Sequence, residues 1–200
     1  MVQQKAAIVL DADSRHLTVP YGQSIKITGK AVRRASDGTL KPVPVGTPLQ
    51  PGTATVGADG RFARTLQGYN NQVSTTWMYE RSYPWLQYVH ATTQVDIQYP
   101  TSFSGFTARI DAANRVTVTG TLNHKAPTWK GYGGQPVFFY FLPAGSSTPT
   151  YMGQATTAAD GTFRRAFTSD RTGTWSAQYR DSDTKHLNSA SRLDEVAVTP

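Results

Sequence analysis

The sequence contains no cysteine among its 200 residues, which excludes disulfides, thiolate metal ligands and cysteine nucleophiles. It has no apolar run approaching the roughly 18 residues of a membrane span, so membrane insertion is not expected. The start has a short apolar piece, Ala6 to Leu10, without the layout of a signal peptide. Leu/Ala/Glu/Lys stretches of helical length are missing too, which argues against useful helices. Charge is present but never concentrated. The net charge is +7, yet Arg33-Arg34 and Arg164-Arg165 are the only adjacent basic pairs. Residues 1–100 hold ten basic and six acidic side chains, and residues 101–200 hold ten and seven. A specific nucleic-acid binder gathers its charge into one stripe. The expectation here is a diffuse basic surface with weak attraction to anionic polymers.

Signatures of chemistry are equally sparse. There is no His-Glu-x-x-His and no Gly-x-Ser-x-Gly, and His16, His90, His124 and His186 have no metal-ligand spacing. Ser182, Asp183 and His186 supply the residue types of a triad but fall within five residues, in one loop. Asp11-Ala-Asp13 and Asp181-Ser-Asp183 pair carboxylates without the glycine and distal glutamate of a calcium loop. They read as Asx turns at strand ends. No enzyme activity, cofactor or metal is expected.

What the chain does have is glycine (17), proline (12) and an internal repeat. Residues 52–62 (GTATVGADGRF) match residues 153–163 (GQATTAADGTF) at seven of eleven positions, at an offset of 101. Arg64 then matches Arg165, and Tyr79 is paired with Tyr179. Upstream, Ile25-Lys-Ile-Thr-Gly29 matches Val116-Thr-Val-Thr-Gly120. The boundary is placed near Pro100, giving one repeat over 1–100 and a second over 101–200.

Within each repeat the apolar period is two, as at Ile25 and Ile27 or Val116 and Val118. That alternation predicts strands with one buried face. The continuous run Val137–Leu142 predicts a central strand buried on both faces, or one packed under the neighbouring domain. Asp59-Gly60 and Asp160-Gly161 predict two-residue type I′ hairpin turns. About seven short strands per repeat, punctuated by turns, predict antiparallel β-sandwiches. The fold class expected is therefore all-β, with two tandem sandwich domains.

The second repeat carries Gly120-Thr-Leu122, Gly134-Gln-Pro-Val137 and Thr157-Ala-Ala-Asp-Gly-Thr-Phe163, followed by Tyr179, Ser189-Ala-Ser191 and Val196-Ala-Val198. In this order they resemble the bacterial immunoglobulin-like repeats of secreted and surface proteins, especially those of actinobacteria. The resemblance covers nearly all of 103–200; in 1–100 it is clear only in the hairpin and its flanking strands. It implies immunoglobulin-like sandwiches on a secreted or cell-surface protein whose signal has been removed. It specifies a fold well and a function poorly, because such domains serve as spacers, adhesins and binding modules.

Aromatic side chains are the best functional lead. Trp77, Tyr79, Tyr83, Trp85 and Tyr88 crowd one segment of the first repeat. Alternation puts Trp77 and Tyr79 in the core. Tyr83, Trp85 and Tyr88 have no aromatic counterparts in the second repeat and are candidates for a ligand-binding loop, or for a seal between domains. Trp129 and Tyr132, in a glycine-rich loop, are a second candidate set. Flat aromatic faces stack on sugars and also anchor protein interfaces, so the partner expected is a protein or a carbohydrate. Arg64 and Arg165 sit where alternation points inward, unless a β-bulge flips the face. A binding or adhesion module is the leading reading, with a passive spacer as the alternative.

Overall fold

The computed structural model describes residues 3–78, 83–180 and 183–198. The chain divides into two compact units, Met1–Ile97 and Gln98–Pro200. Among the described residues no helix is long and apolar enough to cross a membrane.

Unit 1 is built from β1 (Ala6–Leu10), β2 (His16–Pro20), β3 (Ser24–Arg34), β4 (Leu40–Pro42), β5 (Leu49–Gln50), β6 (Arg61–Gln67), β7 (Gln72–Met78) and β8 (Val89–Gln98). One sheet runs β1-β3-β4 with β6 also on β3; the other runs β2-β8-β7-β5. Unit 2 is built from β9 (Thr101–Ile110), β10 (Arg115–Lys125), β11 (Trp129–Gly131), β12 (Pro136–Pro143), β13 (Thr150–Thr156), β14 (Thr162–Thr168), β15 (Gly173–Tyr179), β16 (Ser189–Ala190) and β17 (Asp194–Val196). Its first sheet runs β11-β10-β14 with β9 on β10, and its second runs β13-β12-β15-β16 with β17 on β15. Each sheet draws its strands from one repeat. Each unit is an immunoglobulin-like antiparallel sandwich.

The repeat has a structural cause. Gly29 pairs with Phe62 across β3 and β6, and Gly120 pairs with Phe163 across β10 and β14. A Cβ at Gly120 would lie 2.7 Å from Phe163 Cζ, and one at Gly29 would lie 3.0 Å from Phe62 Cζ. Glycine on one strand makes room for the ring from the next, so the two motifs recur together.

The Asp-Gly turns differ from expectation. Gly60 and Gly161 are left-handed, at φ +80° and +82°, but Asn114 is the only non-glycine residue with positive φ among those described. A type I′ turn needs positive φ at both central positions. Here the Gly60 N–H donates to Gly57 O and the Gly57 N–H to Arg61 O, and Ala158, Gly161 and Thr162 repeat the pattern. This is the longer loop, a tight turn followed by a left-handed glycine. The aspartates choose it by accepting the Arg61 and Thr162 N–H groups on their own carboxylates, each at 3.0 Å. Gly60 O and Gly161 O then accept from Ala31 and Leu122.

The Val137–Leu142 run is not buried on both faces. Val137, Phe139 and Phe141 are core residues, while Phe138, Tyr140 and Leu142 are half-buried on the opposite face. β12 is central in its sheet, but what meets its outer face is side chains. The Arg180 guanidinium lies 5.5 Å from the Phe138 ring and 5.6 Å from the Tyr140 ring.

Trp77 also departs from expectation. It is 39% exposed, while Ser74, Thr76 and Met78 face the core. In β15 the inward residues are Trp175, Ala177 and Tyr179. The offset of 101 therefore holds through this strand, so Met78 answers Tyr179. Pairing Tyr79 with Tyr179 slips the register by one residue and exchanges the faces; Tyr79 itself lies outside the described residues. Unit 1 thus has Ser74 where unit 2 has Trp175.

The arginines follow from that substitution. Arg64 is buried, only 5% exposed. Its guanidinium donates to Thr75 O at 2.9 Å, Thr76 Oγ1 at 3.1 Å and Ser74 Oγ at 2.8 Å. It fills space that Trp175 fills in unit 2, and burial lowers its pKa. Arg165 holds the same register, opposite buried Val118 as Arg64 is opposite buried Ile27. Yet Arg165 is exposed. Phe167, stacked on Trp175 at 4.9 Å, occupies the interior. Arg165 instead lies over the Phe167 ring and against Gly153. The inward expectation holds for Arg64 and fails for Arg165, with no bulge between β10 and β14.

Candidate functional site

The candidate loops lie at one end of each unit, where the segment after the β7 or β15 strand meets the start of that unit. In unit 1 the Gln4 N–H donates to Trp85 O at 2.6 Å and the Gln87 N–H returns to Gln4 O at 3.0 Å. Between them Leu86 plugs the core. In unit 2 the Tyr99 N–H donates to Lys185 O and the Leu187 N–H returns to Tyr99 O. His186 takes the place of Leu86.

That exchange sets the chemistry of each end. In unit 1 the clasp is aromatic and cationic. The Trp85 ring is half-buried with the Arg33 guanidinium 5.5 Å from its centroid, and Tyr83 meets it edge-on at 5.7 Å. Arg33 is held in turn by Gln4 Oε1 at 2.8 Å. Tyr88 is 49% exposed. The structure therefore brings Tyr83 and Trp85 together, while Tyr88 lies with its ring 6.2 Å from that of His90.

In unit 2 the clasp is a polar cluster. His186 Nδ1 lies 2.8 Å from Asp183 Oδ2, and the Tyr132 hydroxyl donates to the same oxygen at 3.0 Å. His186 Nε2 faces His124 Nδ1 at 3.1 Å. His124 stacks on the Tyr132 ring at 4.3 Å. Tyr132 is thus engaged on its face and at its hydroxyl, with burial foremost in pushing its pKa up. Trp129, in the short strand β11, is 50% exposed. Of the second candidate pair, Trp129 is exposed, while Tyr132 is half-buried and hydrogen-bonded to Asp183. Sequence reading noticed Asp183 and His186 but missed their joining to His124 and Tyr132. The signal was polar residues at the ends of β10 and of the loop that the shared fold brings together.

The geometry is not that of a catalytic triad. Asp183 orients His186, but the far imidazole nitrogen meets His124 in place of a nucleophile; Ser182 lies outside the described residues. Among the described residues no three His, Asp or Glu side chains converge on a metal position. Asp11 accepts from Thr28 Oγ1 at 2.7 Å and lies 3.5 Å from the Arg61 guanidinium.

The cluster is expected to make unit 2 sensitive to pH. Burial holds the His124 pKa below its ordinary value, with His186 and Lys130 adding to the effect. A histidine depressed on folding takes up its proton more readily in the unfolded chain. Stability is therefore full above about pH 6.5 and falls as pH drops below it. Burial alone raises the Asp183 pKa, but hydrogen bonds from His186, the Lys185 N–H and Tyr132 outweigh it and leave it lowered. Its contribution is present above about pH 3.9 and is lost as pH falls through the folded value. His124→Phe keeps the stack and removes the titration. Calorimetric melting from pH 7.5 down to pH 5 is expected to show the unit 2 transition falling in the parent chain and falling less in the variant. Parallel slopes refute the assignment.

The four tryptophans give a second check. Trp175 is 0% exposed, Trp85 is half-buried, and Trp77 and Trp129 are the open pair. Trp129→Phe is expected to remove more of the acrylamide-quenchable emission than Trp85→Phe. The reverse order would place Trp85 at the surface.

No protein-family model matches this chain, and no curated protein matches it in sequence. Solved structures do. Three N-terminal domains of the highly immunogenic outer capsid protein of bacteriophage RB49 match with a TM-score of 0.51 at 15% identity, covering 98% of this chain and 71% of that one. The titin I-band fragment I67–I69 matches with a TM-score of 0.49 at 7% identity, covering 98% and 65%. The D0–D1 domain of intimin matches with a TM-score of 0.33 at 16% identity, covering 98% of each chain. At these identities the likeness is one of fold, and the first of them carries it.

Proposed function

We propose that this chain is a non-catalytic binding or adhesion module of a secreted or cell-surface protein, built like the bacterial immunoglobulin-like repeats it resembles. The observation that carries the reading is the half exposure of Trp129 and Tyr88 on the loop-bearing ends of their units. Exposed rings beside loops can lay their faces on sugars or enter pockets on proteins. The Asp183–His186 pair supports the non-catalytic part, because both of its imidazole nitrogens are spent inside the unit.

The experiment is a glycan and polysaccharide array probed with the whole chain, Trp129→Ala and Tyr88→Ala. Retention of the parent chain on at least one polymer, weakened about tenfold by either substitution, supports the reading, since a stacked ring contributes on the order of 1–3 kcal/mol. Equal retention of all three proteins removes these rings from the site. Retention of none on any glycan removes the carbohydrate as the partner.

A further inference from the structure

The outer face of the sheet formed by β9, β10 and β14 carries cations that the loop rings do not explain. Register sets Arg109 opposite Thr117 and Arg164 opposite Thr119, so all four project from one face, away from buried Val116 and Val118. With strands about 4.8 Å apart and about 3.4 Å per residue, the two arginine Cα atoms lie about 12 Å apart, on either side of β10. Thr107 lies opposite Thr119 and shares a 2.9 Å hydroxyl hydrogen bond with it. Arg115 stands on the same shallow, open groove, 3.4 Å from Asp111. Among the described residues Arg109 and Arg164 have neither a carboxylate at ion-pair distance nor a hydrogen-bond acceptor, and both are exposed.

We propose that this face binds an acidic polysaccharide, with Arg109 and Arg164 each holding a carboxylate or sulfate of the polymer and the threonine hydroxyls between them meeting its sugars. Charge complementarity selects the anion: a guanidinium fork fits a planar or tetrahedral oxyanion with paired hydrogen bonds. The openness of the groove fits a chain that runs across it. No aromatic ring lines it, so a nucleic-acid base finds nothing to stack on. The equivalent face of unit 1, taken by itself, is cationic too: Lys26 stands opposite Thr65 and Lys30 opposite Arg61. The proposal rests on the extracellular binding reading above but uses different residues.

The test measures binding of the whole chain to heparin, polygalacturonate and dextran, at low and at physiological salt. The expected result is binding to at least one acidic polymer and none to dextran. Arg109→Gln/Arg164→Gln is expected to weaken it about tenfold and flatten its salt dependence. Arg171→Gln, an exposed control that removes one positive charge outside this face, is expected to lose less than about twofold. Trp129→Ala is expected to bind the acidic polymer as the parent does. Matched melting curves show that the surface variants fold. The proposal is overturned if neither acidic polymer binds, or if Arg171→Gln loses as much as the double variant. Tighter binding to a single-stranded DNA oligonucleotide through the same arginines also overturns it. Loss in Trp129→Ala with none in the double variant upholds the loop site and overturns this one.

Discussion

Replacing Trp175 with alanine is expected to remove about 3–5 kcal/mol from the stability of unit 2. The side chain is fully buried, 5.1 Å from the Phe141 ring and stacked on Phe167. It links the two sheets of the sandwich, because Phe167 belongs to β14 and Phe141 to β12. A domain of this size has about 5–15 kcal/mol in total, so the variant sits near the edge of folding. Trp175→Phe is expected to lose far less. It keeps a ring between the two phenylalanines and discards an indole N–H that has no hydrogen-bond partner. Calorimetry of the whole chain checks this: the transition of unit 2 shifts down steeply for alanine and slightly for phenylalanine. Equal shifts would mean that the cavity is not the governing loss.

The second large effect separates two arginines that the repeat makes equivalent. Arg64→Ala is expected to destabilise unit 1 by about 2–4 kcal/mol, from the cavity and from the stranded Thr75 carbonyl. Arg165→Ala is expected to change unit 2 by less than about 1 kcal/mol, because an exposed cation over a ring contributes little. Arg64 is met by neutral oxygens, and no carboxylate pairs with it among the described residues. Arg64→Met should therefore lie well above alanine in stability, since it refills the space without a buried charge. Urea titrations of the four proteins decide it. Comparable losses for Arg64→Ala and Arg165→Ala would contradict the exchange of Trp175 for an arginine and two hydroxyls.

Much of the fold was legible in the sequence because sandwiches are encoded by short-range signals. Ile25, Ile27, Val116 and Val118 announce their faces by alternation, and the matched segments 52–62 and 153–163 announce a repeated unit. The errors came where one strand had to be aligned with another. Aligning Tyr79 with Tyr179 favoured residue identity over strand register, and it placed Trp77 in the core that Thr76 and Met78 occupy. The core polarity of Ser74 and Thr76 was the missed clue, and it made sense only with Arg64 across the sandwich. The Asp-Gly dipeptide fixed a turn but not its type, which the aspartate side chains decide. The Val137–Leu142 run was read by composition, though its alternate residues separate a core face from one covered by Arg180.

The candidate site was legible as residue types and opaque as an arrangement. Trp129 and Tyr88 are exposed, while Tyr132 is committed to Asp183 and stacked on His124. The hydrogen bond that commits Tyr132 joins residues 51 positions apart in sequence. The basic face was invisible for the same reason: Arg109 and Arg164 become neighbours only through pairing with β10.

The most direct test of a non-catalytic binding module is an isothermal titration of the whole chain with the polymer it retains best, followed by sizing of that polymer. The account predicts a saturable isotherm and a polymer of unchanged length after prolonged incubation. A shortened polymer would make the chain an enzyme, and the absence of saturable binding to any polymer or protein tested would make it a spacer.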